Sequence, residues 1–285
     1  MLPALASLAS AGAIDRIKAN KKVVIAYSRT SSPFSLDDEN GQPVGYGMDM
    51  CSRVVESLRK KLGVSDLKVE YVTPPLQERL EGVKTGRIDM GCGSTARTEE
   101  RLQVVEFSLA YFIGPLRTIV KSNSPVQHFK DLARKTMALP SGTEAEKVAR
   151  TLDMQSSLNF KYKITKTSPE AFAAVGDGSA DGFMMDDVML ATLRANSAHP
   201  EDFRLLTDIH AISEVGILLP KNDPAFKALV DQELVRVMRE GEAARLYDKW
   251  FQSPIPPQGK NLALPLNQFL REHFKYPADG YIKGR

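Results

Sequence analysis

Three arginines stand where a fixed cation can hold an acid. Arg101 falls in the first turn of a short helix that opens at Thr98-Glu99-Glu100, after the small-residue turn Gly91-Cys92-Gly93-Ser94-Thr95-Ala96. Small residues let backbone N–H groups and the Ser94 and Thr95 hydroxyls approach a bound molecule closely. A helix start adds unpaired donors and partial positive charge. The Arg101 guanidinium supplies a planar fork matched to a carboxylate. Arg29, in the polar loop from Ser28 to Phe34, and Arg79, beyond the loop that follows the strand at Val72, are two further forks. A second small-residue turn, Pro140-Ser141-Gly142-Thr143-Glu144, precedes another helix. Asp186-Asp187 opens a third, where a carboxylate can cap the helix or receive an ammonium group. Three cations and one carboxylate fit a ligand with two carboxylates and one ammonium, the charge pattern of an acidic amino acid.

Other chemistries find less support. Neither a Walker loop nor a strand-borne GxGxxG is present, and the four histidines are scattered. Ser94 lies in G-S-T rather than GxSxG, with no evident His–Asp pair to activate it. Cys51 and Cys92 lack metal-ligand spacing; two buried thiols and one disulfide both stay open. No cofactor or metal is expected. The net charge of +3 is spread over 285 residues, and the single basic run, Arg59-Lys60-Lys61, reads as a solvated helix end. No nucleic-acid partner is expected.

The elements that must position these groups alternate. Strand Lys22–Tyr27, a helix through Met50, Val54, Val55 and Leu58, strand Leu67–Val72, helix Leu76–Thr85 and strand Ile88–Met90 make a βαβαβ series. Strands at Thr136–Leu139, Tyr162–Ile164 and Gly182–Met185, with helices Glu144–Leu152 and Ser168–Gly176 between them, make a second. Such sheets collect ligands outside the carboxyl ends of their strands, which is where Arg29, Arg79, Ser94 and Thr143 fall. The two series predict two lobes facing a common cleft. Val215–Pro220 is expected as one strand, followed by helix Pro224–Arg239 and a helix holding Trp250. The tail beyond Pro257 carries scattered apolar residues and no predicted element. Met1–Ala13 is apolar and Ala-rich, reads as the remnant of an export signal or an artefact, and is set apart from the fold.

Several stretches together resemble the periplasmic solute-binding proteins of the polar amino-acid class (family 3), most closely the glutamate/aspartate-binding members that serve ABC importers. They are Arg29-Thr30-Ser31-Ser32-Pro33-Phe34-Ser35, Val44-Gly45-Tyr46 with Asp49, Cys92-Gly93-Ser94-Thr95, and Glu100-Arg101 before Phe107-Ser108. Ser141-Gly142-Thr143, Phe183-Met184-Met185-Asp186-Asp187, Gly241-Glu242-Ala243 and Asp248-Lys249-Trp250-Phe251 continue the match. The resemblance implies an α/β, two-lobed periplasmic-binding-protein fold (type II), with two mostly parallel sheets, flanking helices and two crossover strands. It implies one lobe of residues 14–114 plus 214–285 and another of 115–213, with hinge closure on the ligand. It further implies that Arg101 holds an α-carboxylate, helped by Ser94 and by N–H groups around Thr143. Asp186 would take the α-ammonium and Arg29 with Arg79 a side-chain carboxylate; Thr95, Ser141 and Ser168 complete the binding set.

Four residues depart from that pattern: Leu76 replaces an expected Ser, Ala96 and Pro140 each an expected Thr, and Ser168 an expected His. An exported monomer delivering its ligand to an ABC permease, and not an enzyme, is the expectation. The competing expectation is a cyclohexadienyl (prephenate or arogenate) dehydratase on the same fold, for which Glu78 and Glu214 are the candidate acids, or a receptor for another small carboxylate.

Overall fold

The computed structural model describes residues 12–280, so the expected signal remnant lies outside the described residues up to position 11. Contacts divide the chain into two units. The first comprises Met1–Phe112, Val215–Tyr247 and Arg271–Arg285, and the second Ile113–Glu214 and Asp248–Leu270. The first two passages fall at strands, β8 (Phe112–Lys121) and the end of β13 (Ala211–Val215). Asp248–Leu270 packs with the second unit, whereas the sequence expectation kept everything after 214 with the first. Short-range pattern carries no signal for such long-range packing.

In chain order the first unit begins with α1 (Ala13–Asn20), β1 (Lys22–Ala26), β2 (Thr30–Ser31), β3 (Ser35–Asp37) and β4 (Pro43–Val44). Next come α2 (Tyr46–Leu62), β5 (Lys68–Val72), α3 (Leu76–Lys84), β6 (Met90–Gly91), α4 (Glu99–Leu102) and β7 (Glu106–Phe107). The second unit follows β8 with β9 (Thr136–Pro140), α5 (Glu144–Ser156), β10 (Lys161–Thr165), α6 (Ser168–Gly176), β11 (Gly182–Asp186), α7 (Asp187–Asn196), β12 (Phe203–Leu205) and β13. The remainder is β14 (Leu218–Leu219), α8 (Pro224–Arg239), α9 (Glu242–Phe251), β15 (Pro254–Ile255), β16 (Lys260–Asn261) and α10 (Gln268–Lys275).

Each unit centres on one sheet with a parallel core. In the first the order is β5-β1-β6-β14-β7; β5 and β6 run parallel to β1, and β14 joins antiparallel. In the second the order is β10-β9-β11-β8-β12, with β10 and β11 parallel to β9 and β8 antiparallel to β11. Period-two alternation in the second sheet sends Leu116, Val120, Met137, Leu139 and Met184 to one apolar cluster. Ile119, Ala138 and Phe183 go to the other, as successive strand side chains must. Leu80, Val83, Ile88, Val105, Phe107 and Leu218 make the corresponding cluster of the first unit; burying each such side chain contributes about 1.5–3 kcal/mol.

Three features differ from expectation. The stretch 28–44, expected as a polar loop from Ser28 to Phe34 and a turn at Asn40-Gly41, folds into a small antiparallel sheet, β2-β3-β4, whose strands are too short to show an alternation. The strand expected over Val215–Pro220 is broken at Gly216, where an added Cβ would lie 3.0 Å from the Ser108 carbonyl oxygen. There the Ile217 N–H donates to the Ser108 hydroxyl (2.9 Å) rather than to a neighbouring strand. The tail forms α10, whose His273 is buried against the Ala110 carbonyl. Among the described residues no helix is long and apolar enough to cross a membrane.

Candidate functional site

The turn after β6 is fixed from three sides. Cys92 forms a disulfide with Cys51 of α2, Cα–Cα 6.4 Å, which resolves the pairing that sequence left open. Gly93 has φ +136°, and a Cβ there would stand 2.9 Å from the Ser35 hydroxyl, so only glycine fits. The buried Tyr111 hydroxyl donates to the Gly93 carbonyl. Thr98 then caps α4, its side chain accepting from the Arg101 N–H (3.2 Å), and so sets where Arg101 leaves the backbone.

A cavity of about 570 Å³ in the first unit is lined by Arg29, Arg79, Ser94, Thr95 and Arg101, with Leu76 and Ala96 also among its lining residues. The three forks are held differently. Arg101 donates from Nη1 to the Ala96 carbonyl at 2.6 Å. Arg79, on α3, is 7% exposed; its Nη2 reaches the carbonyls of Tyr27 and Pro74, each at 3.4 Å, and its buried Nε has no hydrogen-bond partner. Arg29 is largely exposed and pairs through Nε with Asp37 Oδ2 at 3.0 Å. Burial lowers both Arg79 and Arg101 from the ordinary arginine range, yet a guanidinium stays charged at any physiological pH. An unpartnered N–H on a buried cation is costly.

The other expected residues lie in the second unit. Ser141 is exposed and its N–H donates to the Thr165 carbonyl (2.9 Å). The Gly142 N–H donates to Glu146 Oε2 (2.8 Å). Thr143 caps α5, accepting from the Glu146 N–H at 3.2 Å and donating to the Pro140 carbonyl at 2.8 Å. Ser168 is the first residue of α6, which Thr167 caps. Asp186 ends β11 at the α7 N-cap position, without a side-chain cap bond. Loss of solvation, then repulsion from Glu144, pushes its carboxyl up to about 6. Asp187 is buried and pushed up to about 7, chiefly by burial and against the pull of Arg117.

Sequence reading did not single out Tyr27 and Asp37, whose side chains meet at 2.5 Å beside Arg29. Tyr27 reads as the end of an apolar strand, and Asp37 lies in what the sequence presents as a loop. The candidate acids of an enzyme reading do not line the cavity: Glu78 is exposed on α3, and Glu214 is buried in β13.

The profile of the bacterial extracellular solute-binding proteins, family 3, matches residues 23–253. A glutamate/aspartate import solute-binding protein of Escherichia coli (strain K12) is 32% identical over 96% of this chain and 91% of its own length. An L-glutamate/L-aspartate-binding protein of Pseudomonas aeruginosa is 33% identical over 94% and 89%. Among solved structures, an ancestral amino acid-binding protein described as a precursor of cyclohexadienyl dehydratase has the same fold. Its TM-score is 0.64 at 24% identity, covering 84% of this chain and 99% of that one.

Proposed function

We propose L-glutamate or L-aspartate as the ligand of this chain, which belongs to the bacterial extracellular solute-binding proteins, family 3, and delivery of that ligand to an ABC permease from the periplasm as its role. The observation that carries the reading is that three arginines, Arg29, Arg79 and Arg101, line one cavity. The names of the relatives that match nearly the whole chain point the same way.

In this reading Arg101, with Ser94 and Thr95, takes the α-carboxylate that all amino acids share. Arg29 and Arg79 take the distal carboxylate, and so select acidic over neutral side chains. Asp186 receives the ammonium, and Ser141, Thr143 and Ser168 supply polar contacts from the second unit. The reading requires that one ligand engage both sets. Leu76 and Ala96 offer no hydroxyl, and each missing neutral hydrogen bond weakens binding by about 0.5–1.5 kcal/mol. Affinity therefore rests more on the charged groups than in a site rich in hydroxyls.

A thermal-shift screen of the purified protein against the common amino acids and small dicarboxylates tests this. Stabilisation by L-glutamate or L-aspartate above all others is expected, because a ligand that binds only the folded form raises its stability. Absence of a shift with every α-amino acid would remove the reading. A lyase reading needs a carboxylic acid within reach of a leaving hydroxyl, and neither Glu78 nor Glu214 lines the cavity. Incubation with prephenate or arogenate is accordingly expected to leave both unchanged.

A further inference from the structure

We infer that Tyr27 and Asp37 are positioning residues for acidic-ligand selection, orienting between them both guanidinium groups that face the distal carboxylate. The inference rests on the proposed function for the roles of Arg29 and Arg79.

Tyr27 touches both arms of the pair. Its backbone carbonyl accepts from Arg79 Nη2 at 3.4 Å. Its hydroxyl donates to Asp37 Oδ1 at 2.5 Å, while Asp37 Oδ2 holds Arg29 Nε at 3.0 Å. One residue thus links a buried arginine to an exposed one. Tyr27 is itself buried at 3% exposure and packs edge-on against Tyr71, ring centroids 6.0 Å apart. Asp37 is placed by the small sheet: β2 pairs with β3 in the register Thr30↔Leu36 and Ser31↔Ser35, which folds Asp37 back toward Arg29. The sheet that sequence reading missed has this consequence for the site.

The arrangement makes physical sense for a side chain as exposed as Arg29. A free arginine samples many rotamers, and a ligand that must immobilise it loses affinity; holding it beforehand removes that loss. A guanidinium has more than one edge that can grip a carboxylate, so an aspartate on Nε orients the fork without consuming all its donors. Asp37 also sets the charge. Two cations and one anion leave a single net positive charge, the complement of one carboxylate. The hydroxyl of Tyr27 feels both partners: Asp37 raises it and Arg29 lowers it, on top of the larger effect of burial.

A double-mutant cycle read by calorimetry with L-glutamate tests the inference. Asp37→Ala is expected to weaken binding about tenfold and Tyr27→Phe about threefold. In an Arg29→Ala background the Asp37 substitution should change nothing more, because coupled residues are non-additive. Losses that add to that of Arg29→Ala, or tighter binding by Asp37→Ala, would overturn it; the latter would make Asp37 a competitor of the ligand. A ligand-free readout keeps the two proposals separate. The Arg29 Nε–H resonance in 15N NMR should be protected from solvent exchange in the native protein and lose that protection in Asp37→Ala. Unchanged protection overturns the positioning role even where L-glutamate binds. A native protein that binds neither L-glutamate nor L-aspartate, yet shows the NMR change, would sink the proposed ligand and leave Asp37 as the holder of Arg29.

Discussion

Both units build a small-residue turn after a parallel-core strand and follow it with a helix capped by threonine, yet the charged candidate residues of the two units are opposite in sign. In the first, Arg101 stands behind the Gly93 turn, with Arg79 beside it. In the second, the Pro140–Thr143 turn shares its unit with Asp186. The supports differ as well. A disulfide and the Tyr111 hydroxyl hold the first turn, whereas hydrogen bonds from Ser141, Gly142 and Thr143 hold the second. Burial lowers an arginine from a range so high that its charge survives. The same desolvation lifts Asp186 to about 6, within reach of ordinary pH. The first unit's charge is therefore permanent and the second's conditional.

The largest effect is expected at Arg101. Arg101→Ala should weaken binding of every α-amino acid by at least a hundredfold, or about 3 kcal/mol, the size of a lost charge-assisted pair. A loss confined to acidic ligands would show that Arg101 reads the side chain instead. Replacing Cys51 and Cys92 by serine should lower unfolding stability by about 2–4 kcal/mol in a denaturant titration, for a loop of this size; the sequence separation is 41. The second unit's turn has no counterpart to lose.

The conditional charge is tested by pH. Asp186 and Asp187 are raised to about 6 and about 7, so the folded apo protein binds protons more readily at both than the unfolded chain does. The stability they contribute is full below the ordinary carboxylate range near pH 4 and is lost as pH rises through about 6 to 7. Ligand affinity should run the other way, because an ammonium needs Asp186 ionised: it weakens toward tenfold per unit as pH falls below about 6. Calorimetry from pH 5 to 8 checks the direction, and Asp186→Asn should remove the part of the dependence that Asp186 carries, leaving that of Asp187. The smallest effect expected is from Thr143→Ala, about 1 kcal/mol of stability through loss of the α5 cap, read as a shift in the denaturation midpoint.

Much of this was legible before the structure. The parallel strands β1, β5, β9, β10 and β11 showed because each is an apolar or alternating run bounded by turn residues, whereas β6, expected over Ile88–Met90, forms at Met90–Gly91; most of the longer helices showed by their 3.6-residue spacing. Arg29, Arg79, Ser94, Thr95 and Arg101 were legible as strand-end groups, and they line one cavity. What escaped depends on distance along the chain. The β2-β3-β4 sheet consists of strands two and three residues long, below any periodicity. The break at Gly216 follows from the Ser108 hydroxyl, far away in sequence. Tyr27 and Asp37 matter only once folding brings them to Arg29, and α10 lies in a tail whose apolar residues gave no clear run.

On the proposed reading the first unit's arginines select an acidic side chain. Calorimetric titration of the native protein with L-glutamate and with its neutral isostere L-glutamine tests it most directly. Binding of L-glutamate at least tenfold tighter, with the preference abolished in Arg79→Ala, is the predicted result. Equal affinity for the two ligands, or a preference that survives Arg79→Ala, would contradict it.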